Sequence, residues 1–309
     1  MWTLAFGLAM ATPPDILNTQ ATVLCTGDTH VGMLLASTGN QGNHYIRTTQ
    51  LQLVRLDVRN GALEAVDHGK DVASSIHFDE PGRGPEHERS FPDDAKPLLQ
   101  QLHQWGLDHC LEPSPDHGIE ARMSTGEDPQ LVLTLGDERR VLPAPLYDPR
   151  GVFWEAGPQT RAQRVEGLSD ETTARAGPLH LLEKHAVVQL RIDSGMDVYD
   201  AFAVAERPAY LRAQAFLLNS KGLSHHRDGD HREAARWFAT ALQQDPTFDT
   251  ARYNLACATA RRGDAAGAVT QLKGLPAEGL TQRVAADTDF DRVRAEPAFV
   301  SFLETLAAK

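Results

Sequence analysis

The chain has 309 residues, 41% of them hydrophobic and 23% charged, and a formal charge of −12. Single hydrophobic cores stop growing near ~250 residues, so this length points to two domains, and the composition excludes global disorder. The acidic balance excludes a general nucleic-acid binder, which needs a basic face to neutralise phosphates, and no apolar run approaches the ~20 residues of a bilayer-spanning helix, so no integral membrane segment is expected in the mature chain.

The N-terminus, MWTLAFGLAMATPP, is apolar from Trp2 to Ala11 and breaks at Pro13 and Pro14. With Ala9-Met10-Ala11 as a small-x-small cleavage form, residues 1–19 are a candidate signal peptide that lacks the basic n-region. The alternative is a buried N-terminal strand. Export would place the protein in the periplasm or outside the cell; without it the location is cytoplasmic. Of the three cysteines, Cys257 reads as a small core residue, while Cys25 and Cys110 are either a disulfide in an oxidising compartment or two buried thiols.

Short β-type runs follow at Ala21–Cys25, Val31–Ala36, Leu51–Val58 and Ala62–Val66, with Asn60-Gly61 as a hairpin turn. They predict a mainly antiparallel meander. Phe78–Pro97, rich in proline, glycine and charge, reads as a surface loop. Leu98, Leu99, Leu102 and Trp105 then fall at helical spacing within Lys96–Gly106. A second β-rich region is expected at Leu131–Leu135, Val141–Leu142, Gly151–Trp154 and Ala186–Ile192, with a turn at Gly136-Asp137. The expected class is α+β: a β-rich part over 20–205 and a helical part over 208–309.

Beyond residue 208 the period becomes helical and the chain repeats itself at an offset of 34. Gly229-Asp230 matches Gly263-Asp264, Ala234 matches Ala268, Phe238 faces Leu272, Ala241 faces Leu275 and Gly222 meets Ala256. In register, small residues would let paired helices approach, glycines end the first helix in the left-handed region and aspartates cap the second. This stretch resembles the tetratricopeptide-repeat family over about residues 211–275. Two repeats are fewer than the ~3 that usually stand alone, so the candidate caps are a helix at Leu280–Ala286, a final helix at Pro297–Ala308 and the β-rich part itself. The segment DTDFDRVRAEPAFVSFLETL departs from the repeat pattern.

The resemblance implies a concave face that binds a protein or peptide partner. First-helix positions on that face map to Asn219, Leu223, His226 and Arg227, then Tyr253, Cys257, Ala260 and Arg261. Of these, Asn219, Leu223, His226, Arg227, Tyr253 and Arg261 are the expected contacts, with Tyr253 as anchor.

Asp28-Thr29-His30 and Gly42-Asn43-His44 look like elements of calcineurin-like phosphoesterases, but no Gly-Asp lies between them and Gly136-Asp137 comes after both. The ligands of a second metal are therefore missing in order. In HHRDGDH, the residues His225, His226, Asp228, Asp230 and His231 read as a polar turn. His77, Asp79, Glu80, Glu86, His87 and Glu88 have no spacing that would aim them at one ion. No phosphate loop, nucleophile elbow or Cys-x-x-Cys occurs, so neither cofactor, metal nor catalytic residue is assigned. The sequence thus points to a non-enzymatic interaction or scaffold protein, the alternative being a metal-dependent hydrolase with its site in the β-rich part.

Overall fold

The computed structural model describes residues 18–307 except 40–45, 75–85, 91–94, 108–109, 111–116, 151–152, 154–159 and 196. The candidate signal peptide lies outside them, as does almost all of the strand expected at 151–154. Two compact units are present. One comprises 18–110, Arg122–Gln130 and Pro143–Ala205; the other comprises 117–121, Leu131–Leu142 and 206–307, which places a β-hairpin with the helices.

The first unit opens with β1 (Asn18–Thr26), β2 (His30–Gly39), β3 (Ile46–Asp57) and β4 (Ala62–Ser74), an antiparallel meander. Alternation along β2 sends Val31, Met33 and Leu35 into the core, where each is fully buried. Gly27-Asp28 forms the first turn, closed by Gly27 N donating to His30 O at 2.9 Å. At the β3–β4 turn Gly61 N donates to Asp57 O at 2.8 Å and Asn60 Oδ1 accepts from Ala62 N at 2.8 Å. Gly61 sits at φ +72°, and a Cβ there would stand 2.7 Å from the Tyr147 ring.

β5 (Glu86–Ser90) pairs with β4, which corrects the expectation of a loop throughout Phe78–Pro97. Its charged sequence shows no alternation because it is recruited by backbone pairing, with Arg89 opposite Asp71. α1 (Lys96–Gln104) follows; Leu102 and Trp105 pack with Cys25 and Leu53, whereas Leu99 is exposed.

β6 (Glu120–Met123), β7 (Leu131–Leu135) and β8 (Glu138–Leu142) form a small three-stranded sheet, with Gly136 and Asp137 as the β7–β8 turn. The large sheet takes in β9 (Leu146–Asp148), β10 (Thr160–Arg161), β11 (Gln163–Arg164), β12 (Thr173–Leu181), β13 (His185–Asp193) and β14 (Val198–Glu206). Its main path runs β10-β4-β3-β2-β1-β14-β13-β12, and β1 and β14 are parallel. β14 is buried along nearly its whole length, which erases the alternation that would have announced it.

In the second unit α2 (Arg207–Arg227), α3 (His231–Gln244), α4 (Asp249–Arg261) and α5 (Ala265–Leu272) form two successive helix pairs. Gly229 at φ +81° and Gly263 at φ +86° end the first helix of each pair. Asp230 Oδ1 then accepts from Glu233 N at 3.2 Å and Asp264 Oδ1 from Gly267 N at 2.8 Å, capping the second helices. Gly222 lies against Phe238, whose ring would be 2.6 Å from an added Cβ. α6 (Leu280–Ala286), a 3₁₀ turn (Thr288–Phe290) and α7 (Pro297–Ala307) complete the unit. Phe290, Val293 and Phe299 are fully buried in one cluster with Tyr253, Ala256, Ala268 and Leu272.

Candidate protein-interaction face

The first helices α2 and α4 bring the expected contact residues onto one side, because residues three and four apart share a helix face. Asn219 is buried at 3% exposure and its Oδ1 accepts from Asn254 Nδ2 at 2.9 Å, tying the two first helices together. Leu223 is half-buried beside Phe238 and Ala258. Arg227 is exposed, and its Nε donates to Leu223 O of its own helix at 3.2 Å.

The chain's own 287–294 stretch covers the rest. Tyr253 is 3% exposed, its hydroxyl donates to Asp287 Oδ2 at 2.9 Å, and Arg283 Cζ lies 3.4 Å from its ring centroid. Phe290 meets the same ring edge-on at 5.9 Å. Cys257 Sγ is 3.7 Å from the same Asp287 oxygen. Burial, then the Asp287 hydrogen bond, pushes the Tyr253 phenol far up; burial and the carboxylates of Asp287 and Asp289 do the same to the Cys257 thiol. Both therefore stay protonated and act as donors. Ligand atoms of Cys257, Asp287 and Asp289 lie within 4.8 Å of one another, but the thiol and the phenol already spend their protons on Asp287.

His226 Nε2 is 2.9 Å from Asp289 Oδ2, and its Nδ1 is 3.3 Å from His231 Nδ1. Arg261 Nε donates to His231 Nε2 at 3.4 Å and lies 3.8 Å from Asp289 Oδ1, while its side chain remains 46% exposed. The expected face is therefore narrowed. Asn219 and Tyr253 are interior residues, His226 is engaged from both sides, and Leu223, Arg227 and Arg261 stay accessible. Asp287, Asp289 and Phe290 are the participants that sequence reasoning missed. Their one sign was the departure of the DTDF stretch from the repeat pattern.

Residues 225–286 match the tetratricopeptide-repeat family model. Over that stretch the helical part carries tetratricopeptide-type repeats. That match leaves the β-rich unit uncovered, and no curated protein matches the chain. Gly229, Asp230, Gly263 and Asp264 perform in this array the turn and capping roles expected from the 34-residue offset.

Elsewhere, of the two phosphoesterase-like elements only Asp28-Thr29-His30 lies among the described residues. His30 Nδ1 is 3.0 Å from Thr29 Oγ1 and its Nε2 3.6 Å from Asp57 Oδ2, a carboxylate already gripped by Arg59. Burial lowers the His30 pKa, against the opposing pull of Asp57. Asp28 is an exposed turn residue, and His44 lies outside the described residues, as do His77, Asp79 and Glu80. A cleft of about 410 Å³ in the β-rich unit is lined by Glu127, Asp128, Glu166 and Arg164 among prolines, and no histidine is among its described lining. In HHRDGDH, His225 stacks near Trp237 with centroids 6.5 Å apart and Asp230 caps α3, so the motif is largely used by the turn it forms.

Cys25 and Cys110 are joined by a disulfide across a sequence separation of 85, and Cys257 is a buried free thiol. Among the described residues no helix is long and apolar enough to cross a membrane.

Proposed function

We propose that this is a non-enzymatic interaction protein whose short tetratricopeptide array docks a protein or peptide partner on the open strip formed by Leu223, Arg227 and Arg261. The observation that carries the reading is that one arginine from each first helix, Arg227 and Arg261, stays exposed, with the half-buried Leu223 one turn before Arg227. One apolar contact flanked by two guanidinium groups suits an acidic or amphipathic peptide, since arginine forms forked hydrogen bonds to carboxylates. A disulfide between Cys25 and Cys110 supports work in an oxidising compartment, where such bonds persist.

The test is affinity capture with the full chain from its native extract, comparing the unaltered protein with an Arg227→Glu, Arg261→Glu double variant. Loss of a specifically captured protein from the double variant is expected, with its recovery weakened as salt rises. Equal capture by both, with unchanged folding, would remove this strip as the docking site.

A further inference from the structure

Four side chains from four segments form a continuous polar line: Arg261 on α4, His231 at the start of α3, His226 near the end of α2, and Asp289 on the 3₁₀ turn. With both rings neutral, the Arg261 end sets the donors and acceptors along it. Arg261 Nε carries a hydrogen and can only donate, so His231 Nε2, 3.4 Å away, is the acceptor. A neutral His231 then holds its proton on Nδ1 and gives it to His226 Nδ1 at 3.3 Å. His226 in turn holds its proton on Nε2 and donates to Asp289 Oδ2 at 2.9 Å. The two rings are therefore opposite tautomers, each fixed by the group at its far end.

This line has no room for added protons. One on His226 puts N–H against N–H at the 3.3 Å contact unless His231 changes tautomer, and that change turns a second N–H on Arg261. Uptake by His231 is opposed by His226 and Arg261 and by its place in the first turn of α3, where the helix dipole disfavours a cation. Among the described residues Asp289 and then Asp230 act the other way. Burial, with His226 and Arg261, holds the His231 imidazole below its ordinary range. The ring is half-buried, so swinging into solvent relieves all of these conflicts.

We propose that His231 is an acid-released clip: closed at neutral pH between Arg261 and His226, it leaves the line once its own ring is protonated on both nitrogens. Release gives Arg261 entirely to Asp289, whose Oδ1 is already 3.8 Å away, and draws a cation off the open strip. That last consequence, weaker docking in acid, rests on the function proposed above; the clip itself does not.

Selective ¹⁵N- and ¹³C-histidine labelling of the full chain, followed by NMR from pH 8 to 4.5 without any partner, tests it. At pH 8 His226 should be the Nε2–H tautomer and His231 the Nδ1–H tautomer. The His231 ring should titrate below the value of an exposed histidine, and the Arg261 Nε–H resonance should move with that step. His226→Gln should raise the proton affinity of His231 by about threefold or more, since one opposing charge is gone. Two Nε2–H rings, or a His231 step at the value of an exposed histidine, would overturn the clip. The unaltered protein decides this even if the variant fails to fold. A confirmed clip with no captured partner would leave the clip standing and the docking strip refuted.

Discussion

Tyr253 donates its phenolic hydrogen to Asp287 at 2.9 Å, so a residue of the first helix of the second repeat is held by the chain's own C-terminal segment. Its ring is interior to the cluster that contains Phe290 and Phe299. Tyr253→Ala should therefore destabilise the array by about 3–5 kcal/mol, the range for truncating a buried aromatic. Tyr253→Phe should cost about 1–2 kcal/mol by leaving Asp287 one donor short. Denaturant unfolding followed by far-UV circular dichroism measures both; a loss below 1 kcal/mol for the alanine variant would show that the ring is not a core residue.

Gly222 faces Phe238 with no space for a methyl group. Gly222→Ala should cost about 1–3 kcal/mol through overpacking, despite alanine's better helix propensity. The same unfolding measurement checks it, and Gly222→Ala combined with Phe238→Leu should recover part of the loss.

His180 is 4% exposed and neither ring nitrogen has a hydrogen-bond partner among the described residues. Burial lowers its pKa below the ordinary 6.5. The unfolded chain then takes up the proton first as pH falls, so the stability contributed by the neutral ring is complete above about pH 6.5 and declines below it. His30 and His231, also lowered chiefly by burial, add to the decline in the same direction. Unfolding midpoints should be lower at pH 5 than at pH 7.5, and His180→Leu should flatten that difference. An unchanged slope in the variant would show that His180 is not a source of it.

Reduction of the Cys25–Cys110 bond frees a loop of some 85 residues. On a chain-entropy account this should cost about 3–5 kcal/mol, and the β-rich unit should become protease-sensitive first. Under non-reducing conditions in denaturant, alkylation should label Cys257 alone; labelling at all three cysteines would disprove the bond in the native protein.

How much of this was legible depended on how local each cause is. The turns at Asn60-Gly61 and Gly136-Asp137 and the caps at Asp230 and Asp264 answer to backbone rules that act within four residues, and all are found where those rules put them. β14 was not foreseen, since burial on both faces removes alternation, nor was β5, whose charged residues are held by pairing with a strand earlier in the chain. Stacking alone places Tyr253 on an open face. Only the position of Asp287 and Phe290, fixed by packing against residues more than 30 positions away, closes that face.

The parallel pairing of β1 with β14, registered at Asn18 with Val198, has a consequence for the order of assembly. Asp200 accepts from Ala21 N at 2.7 Å, and Arg191 donates to Thr19 O at 2.6 Å. During synthesis the meander emerges first, and one side of β1 stays unpaired until Val198, 180 residues after Asn18, has been translated. At ~5–20 residues per second that wait lasts on the order of ten seconds or more, long enough for an open strand edge to meet another nascent chain. The protein's vulnerability to misassembly is thus concentrated in the interval before its last β-strand arrives.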